Sequence, residues 1–183
     1  EIAREWEIKI EPDKKRGTLK ISDNGIGMTH DDVVREIGTI ARSGTKQYIE
    51  AMKNNDVKDI PDLVGQFGVG FYSAFMAADK IVIVSKKAGS QEPAVKWESD
   101  GQSEYTVSEA SKEDQGTEIL LHMKPDCKSF LEEWKIREII SKYSDFIEHP
   151  IKMPEKSTGS DKVEKTELVT LNSRKALWLR PAA

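Results

Sequence analysis

A series of short β-type segments in the second half of this chain limits the folds that it can adopt. Each segment is rich in β-branched or aromatic side chains, and a turn containing glycine separates it from the next. The segments are Ile81–Val84, Val95–Trp97, Tyr105–Val107 and Glu118–His122. Short strands spaced in this way predict an antiparallel meander.

Strand and helix signals also flank these segments. Apolar and charged residues alternate over 6–10 and 19–21, which predicts a hairpin that ends at Asp23. Thr29 is placed to cap a short helix that Gly38 ends, and a longer helix is predicted from about Ser129 to Phe146. The expected apolar face of that longer helix comprises Leu131, Trp134, Ile139 and Tyr143. The chain is therefore predicted to be an α+β two-layer sandwich, with one mostly antiparallel sheet and helices on one face.

Composition argues against several classes of protein. The 183 residues include 28 Lys and Arg against 32 Asp and Glu, so the net charge of −4 offers a polyanion no global attraction. The longest uncharged stretch, Leu63–Ala78, has sixteen residues, fewer than the roughly 20 of a spanning helix. The single cysteine, Cys127, cannot form an internal disulfide, and the three histidines have no zinc-ligand spacing. We therefore expect a protein of a reducing compartment, without nucleic-acid or membrane partners.

The first glycine motif, Ser-Asp-Asn-Gly-Ile-Gly-Met, spans residues 22–28 at the end of a strand that is predicted to be buried. Asp23 could accept a hydrogen bond from the exocyclic amine of a planar base, and Met28 could pack on the ring. The glycines would let the backbone approach closely. The same residues are also compatible with an ordinary turn and a solvated carboxylate.

The second motif, Gly65-Gln66-Phe67-Gly68-Val69-Gly70, leads into an apolar run that begins at Phe71. Successive backbone N–H groups here could face an anion, as in phosphate sites, although close helix packing would also require glycines. The motif is not a Walker A loop, because Phe and Tyr follow its last glycine where that loop has Lys and Ser or Thr. A third and weaker element is the Gly116-Thr117 pair at the start of a strand.

In this order, the motifs resemble the nucleotide site of the heat-shock protein 90 chaperones. The resemblance is carried by residues 23–28, 38–46, 65–75 and 116–117, and residues 176–178 resemble the entry to that family's middle domain. The short segment between Pro154 and Lys165 is most similar to the bacterial branch, with the mitochondrial branch next. The resemblance implies the Bergerat ATP-binding fold, shared with gyrase, mismatch-repair ATPases and histidine kinases, with ATP or ADP and Mg²⁺ as cofactors.

The resemblance also implies a set of nucleotide-binding residues. Asp23 matches the carboxylate that reads the adenine amino group, and Gly27 and Thr117 match residues that share its water network. The apolar walls correspond to Met28, Ile83 and Ile119, and Ile37 is a further residue of the nucleotide-binding set. The loop that closes on the phosphates corresponds to Gly65, Gln66, Phe67, Gly68, Val69, Gly70 and Phe71. Arg42 and Ser43 lie in the lid, which is predicted from about Thr29 to Val64.

One part of the family's site has no match in this sequence. A Glu-x-x-x-Asn helix, which carries the general base and the Mg²⁺ ligand, precedes the first hairpin in the family, whereas this sequence enters the strand pattern soon after Glu1. We therefore predict a piece of a longer protein, with no catalytic residue or metal ligand of its own. The predicted parts are a nucleotide-binding domain at 1–153, a charged linker at 154–167 and the start of a middle domain at 168–183.

The function that the resemblance implies is the ATP-binding module of a chaperone that assists the folding of client proteins. Hydrolysis is expected of the full-length protein, working through a lid-gated cycle as a homodimer formed by regions outside this chain. This chain alone is expected to bind ATP without hydrolysing it. The alternative is a nucleotide-binding module of a DNA-linked or signalling ATPase with the same fold. A bacterial cytoplasmic location is expected, with the mitochondrial matrix as the alternative.

Overall fold

The structure is a computed structural model that describes residues 5–38, 69–102, 104–158 and 164–174. Its described strands form one eight-stranded sheet, in the order β5-β4-β3-β6-β2-β1-β7-β8. The strands are β1 (Ile8–Asp13), β2 (Thr18–Asp23), β3 (Ala78–Lys86), β4 (Ala94–Ser99), β5 (Tyr105–Ala110), β6 (Gly116–Met123), β7 (Ile151–Thr158) and β8 (Glu164–Thr170). Among these strands only β1 and β7 pair in parallel, so the predicted α+β fold with a mostly antiparallel sheet is confirmed.

Four helical segments accompany the sheet in the described ranges. They are α1 (His30–Asp32) with a π-helical continuation (Val33–Gly38), two 3₁₀-helices (Val69–Met76 and Pro125–Leu131) and α2 (Glu133–Tyr143). None of the described helices is long and apolar enough to cross a membrane.

The inner face of the sheet carries rows of apolar side chains. Residues directly opposite one another on neighbouring strands point to the same face. One such row consists of Ile10, Ile21, Ile119, Ile83, Trp97 and Val107. Val33, Phe75 and Leu131 from the helical segments pack in one core with Ile83 and Trp97. A second core joins two residues of α2, Ile136 and Ile140, to Ile10 and β7. The helices therefore cover the face that bears this row.

The four predicted strands of the second half all form, but they are not one meander. β3, β4 and β5 pair in succession, whereas β6 returns to lie between β3 and β2. Its register sets Ile119 opposite both Ile83 and Ile21. β6 thereby joins the first hairpin to the meander, a pairing between distant segments that local turn signals do not specify.

The helix predicted from Ser129 to Phe146 begins later than expected and buries a different set of side chains. The α-helix begins at Glu133, after a 3₁₀-helix, and it buries Ile136 and Ile140. Trp134 precedes Ile136 by two positions, which is about 200° around a helix, so its side chain lies on the outer side. Trp134 is 62% exposed and Tyr143 is 71% exposed. Their predicted place on the buried face is wrong.

The segment predicted as a charged linker contains regular structure. Residues 154–158 continue β7, and residues 164–168 pair with them in β8. The buried side chain of Asn172 then ties the chain after β8 to the sheet, because its Oδ1 accepts from the Ile151 N–H at 2.9 Å. The sheet thus extends past the predicted boundary at 153, while the start of a following domain stays a prediction.

The predicted helix cap at Thr29 forms a complete capping box. The Thr29 backbone N–H donates to Asp32 Oδ2 at 3.1 Å, and the Asp32 N–H donates to Thr29 Oγ1 at 3.2 Å. Hydrogen bonding from Thr29, with a smaller effect of Lys87, lowers the pKa of Asp32 from 3.8 to about 2.

This cap predicts a specific loss of stability in acid. Because the folded-state pKa of Asp32 is depressed, its contribution is present above about pH 3.8 and is lost as the pH falls toward 2. The urea midpoint of the parent chain should fall between pH 5 and pH 2.5, and this fall should be smaller in Asp32→Asn. Asp31→Asn is the control, because that side chain is 94% exposed and should keep the fall of the parent chain. Equal falls in the Asp32 and Asp31 variants would contradict the assignment.

Candidate functional site

A row of polar side chains lies at one end of the inner face of the sheet. Ser85 of β3 pairs with Thr117 of β6, two residues beyond the pair formed by Ile83 and Ile119. Asp23 ends β2 on the other side of Thr117 and is two residues beyond Ile21. Because side chains alternate along a strand, these three polar residues share the face of the apolar row. The structure thus brings together the motif at 22–28 and the Gly116-Thr117 pair.

The Asp23 carboxylate is oriented through one of its two oxygens. Oδ1 accepts from the Gly25 N–H at 2.8 Å and from the Thr117 N–H at 3.3 Å. No hydrogen bond from the described residues reaches Oδ2. The strand that Asp23 ends is predicted to be buried, but Asp23 itself is exposed, because it is the last residue of the strand. The carboxylate therefore presents one oxygen to an incoming donor.

Ser85 organises this end of the sheet, although sequence reasoning did not identify it. Its side chain is completely buried. Oγ accepts from the Met28 N–H at 2.9 Å, lies 2.9 Å from Thr117 Oγ1 and lies 3.3 Å from the Gly116 carbonyl oxygen. The sequence feature that could have identified Ser85 is its position as the one hydroxyl residue within the apolar run of β3. Ser85 thereby joins the base-reading motif to the strand hydroxyl.

Two glycines permit the close packing of the chain around this site. Gly27 has φ +62°, and a Cβ atom on it would lie 1.9 Å from the Lys86 carbonyl oxygen. Gly116 has φ +109°, and its Cβ atom would lie 2.2 Å from the Asp23 carbonyl oxygen. Both positions therefore exclude any side chain, which gives the glycines of the two motifs a physical role.

A cavity of about 370 Å³ opens beside Asp23. Its walls include Ile8, Ile21 and Ile119 from the inner face, and the Trp6 ring stands at its edge. This volume falls in the range of about 300–1,000 Å³ that is usual for small-molecule sites. Glu7 also lines the cavity, but its carboxylate is paired with two lysines. Apolar walls beside the Asp23 carboxylate suit a flat, largely apolar ring that carries a hydrogen-bond donor.

The other residues of the predicted set lie in different surroundings. Ile37 and Phe71 are half-buried against the main core, and the Phe71 ring meets Trp97 edge-on at 5.7 Å. Val69 and Gly70 begin a 3₁₀-helix, and the predicted lid is described only from Thr29 to Gly38. The remaining predicted residues, Arg42, Ser43, Gly65, Gln66, Phe67 and Gly68, lie outside the described residues.

Metal-binding groups do not converge in the part of the chain that the structure describes. No three histidine, cysteine or carboxylate side chains there are arranged to hold an ion. The described residues therefore do not by themselves form a three-ligand metal site.

The Ser85 network predicts a measurable stabilising role. Ser85→Ala removes the acceptor of the partly buried Met28 N–H, so the free energy of unfolding should fall by about 1–3 kcal/mol. The matched control is Ser108→Ala on β5, where the side chain is exposed and the change should stay within about 0.5 kcal/mol. Urea unfolding of both variants gives the comparison. Equal effects would contradict the network.

Comparisons with known proteins place the chain among related sequences. Residues 2–123 match the family model described as histidine kinase-, DNA gyrase B- and HSP90-like ATPase. The chain is 50% identical to the chaperone protein HtpG of Geobacter sulfurreducens, over 96% of this chain and 29% of that protein. It is 45% identical to the HtpG chaperone of Myxococcus xanthus, with coverages of 95% and 27%, and 47% identical to that of Escherichia coli, with coverages of 96% and 28%. The chain spans less than a third of the length of these curated relatives.

Proposed function

This chain belongs to the family of histidine kinase-, DNA gyrase B- and HSP90-like ATPases, and we propose that it is the ATP-binding module of an ATP-dependent molecular chaperone. The predicted resemblance to the heat-shock protein 90 chaperones is confirmed by identities of 45–50% to HtpG proteins. In the full-length protein, nucleotide would drive a lid-gated ATPase cycle that assists the folding of client proteins.

The observation that carries the proposal is the position of the Asp23 carboxylate beside an apolar cavity. Two backbone N–H groups hold Oδ1, so Oδ2 is the acceptor for the exocyclic amine of adenine. Ile21 and Ile119 supply apolar surface on the same face, next to that carboxylate. A purine in this cavity would bury its ring and satisfy its amino group.

ATP hydrolysis is proposed for the full-length protein only. By resemblance to the family, the general base and the Mg²⁺ ligand lie on a helix that precedes the first hairpin and is not among these 183 residues. When bound, Mg²⁺ would neutralise charge that develops on the transferred phosphoryl group. The residues of this chain bind and orient the base, so recognition and chemistry are separable.

The proposal predicts binding without turnover. Calorimetric titration of ADP into this chain should give a weak but saturable signal, and phosphate release from ATP should stay at the level of a protein-free blank. A chain extended at its N-terminus should gain Mg²⁺-dependent affinity, and the full-length protein should release phosphate. Turnover by the 183-residue chain equal to that of the full-length protein would contradict the division of roles. If ADP gave no binding signal, the assignment of the cavity beside Asp23 as the nucleotide site would be wrong.

A second pair of measurements distinguishes the chaperone from the alternative, a DNA-linked or signalling ATPase of the same fold. The full-length protein should suppress aggregation of a chemically unfolded protein, and double-stranded DNA should not stimulate its ATPase. The HtpG names of the relatives and the net charge of −4 favour the chaperone. The bacterial sources of these relatives favour the bacterial cytoplasm over the mitochondrial matrix, and their chaperone names favour client proteins as partners. A homodimer is proposed through regions outside this chain.

A further inference from the structure

Asn24 lies between the base-reading Asp23 and Gly25, yet its side chain bonds to a different part of the chain. Asn24 Oδ1 accepts from the Glu7 N–H at 2.8 Å, and Asn24 Nδ2 donates to the Glu5 carbonyl oxygen at 2.9 Å. Both ends of the amide are therefore used on the segment that leads into β1. No sequence motif pointed to this contact, because the two segments are seventeen or more residues apart.

These bonds are not needed to close the turn. Asp23 closes it through its own side chain, because Oδ1 accepts from the N–H of Gly25 two residues later. On the other side of the turn, Gly116 packs so closely that a Cβ atom on it would lie 2.9 Å from Asn24 Cα. The Asp23 turn is thus held between Gly116 on one side and the Glu5–Glu7 segment on the other.

The segment to which Asn24 is hydrogen-bonded is itself held in place by other contacts. The Ile8 N–H donates to the Pro150 carbonyl oxygen at 2.9 Å. The Glu7 carboxylate pairs with Lys152 at 2.5 Å and with Lys9 at 2.9 Å, and these partners, Lys152 first, lower its pKa. Asn24 therefore bonds to an ordered backbone, which makes its two hydrogen bonds suited to setting an orientation.

We propose that Asn24 is a positioning residue for adenine recognition, which holds the Asp23 carboxylate in the orientation that selects a purine bearing an amino group. This inference rests on the proposed function and deepens it. Asn24 lines the same cavity, but both ends of its amide are bonded to the Glu5–Glu7 segment. It therefore acts through the angle at which Asp23 Oδ2 meets the donor. A misplaced acceptor loses its preference for the amino group, while contacts to the ring and the phosphates persist.

The test compares ADP with inosine diphosphate, in which a carbonyl replaces the amino group of the purine. Calorimetry gives both dissociation constants, and their ratio measures how well the amino group is read. The parent chain should prefer ADP, and Asn24→Ala should reduce this preference by about fivefold or more. A merely structural role would weaken both nucleotides equally and leave the ratio unchanged.

Asn172→Ala is the matched control. The Asn172 side chain also joins two distant segments, through the Ile151 N–H and the carbonyl oxygens of Ile147 and His149. Its loss should lower stability and leave the ratio of the two dissociation constants as in the parent. A ratio that falls equally in both Asn variants would overturn the proposal.

A second measurement works without nucleotide and separates this inference from the proposed function. The N–H groups of Gly25 and Thr117 both donate to Asp23 Oδ1. Their hydrogen exchange should accelerate in Asn24→Ala about fivefold beyond any change common to the amides of the sheet, whereas in Asn172→Ala it should change only as much as those amides do. If the parent bound neither nucleotide, the proposed function would fail, yet accelerated exchange would still support the role of Asn24 in holding Asp23. Exchange at the parent rate in Asn24→Ala would overturn that role in either case.

Discussion

Asp23→Asn is expected to weaken ADP binding about 30-fold, or about 2 kcal/mol, without unfolding the chain. The amide keeps an oxygen for the N–H groups of Gly25 and Thr117, so the turn should survive. It replaces Oδ2 with an N–H₂ group, which would face the amino group of adenine as a second donor. The same group can donate to the carbonyl of inosine diphosphate, so the preference between the two nucleotides should vanish or invert. Calorimetry with both nucleotides measures the change.

Asp13→Asn provides a closely matched control for this substitution. Asp13 ends β1 at the other end of the same hairpin, and its Oδ1 also accepts two backbone N–H groups, from Lys15 and Arg16, each at 2.9 Å. The variant should bind ADP as the parent does, because its turn lies away from the cavity. If Asp23→Asn bound ADP as tightly as Asp13→Asn, Asp23 would not be the residue that reads the base.

Gly27→Ala is expected to cause the largest loss of stability among the substitutions considered, about 3 kcal/mol or more. The left-handed backbone at φ +62° disfavours a side chain by about 1–2 kcal/mol. The added Cβ would also lie 1.9 Å from the Lys86 carbonyl oxygen, so β3 or the Asp23 turn must move. A loss of this size is a large part of a typical total of 5–15 kcal/mol. Urea unfolding of the variant measures it.

Gly89→Ala separates the two causes. Gly89 has a similar φ of +71°, but no atom lies within 4 Å of the position of its Cβ. This variant should therefore lose only about 1–2 kcal/mol from backbone conformation. The difference between the two variants measures the close approach at Gly27. Equal losses would mean that the backbone near Lys86 gives way without cost and that the packing around the site is loose.

The features predicted correctly from sequence are those encoded by neighbouring residues. The hairpin that ends at Asp23 follows from alternating side chains around a turn, and the helix start at Thr29 follows from a capping box of four residues. The order of the glycine motifs also indicated the family. The roles of Gly27 and Thr117 in binding nucleotide stay predictions, although the structure places both beside Asp23.

Sequence alone therefore predicts the first six strands with their turns, the class of fold and the motifs that form the candidate site. Three features come from packing in three dimensions: β6 lies between β2 and β3, residues 154–158 belong to the sheet, and Trp134 faces outward. The buried position of Ser85 and the hydrogen bonds of Asn24 to the Glu5–Glu7 segment also come from the tertiary structure. The physical reason is the range of the interactions. Periodicity and capping act over a few residues, whereas strand partners, buried hydrogen bonds and the orientation of a helix depend on contacts between residues far apart in the chain.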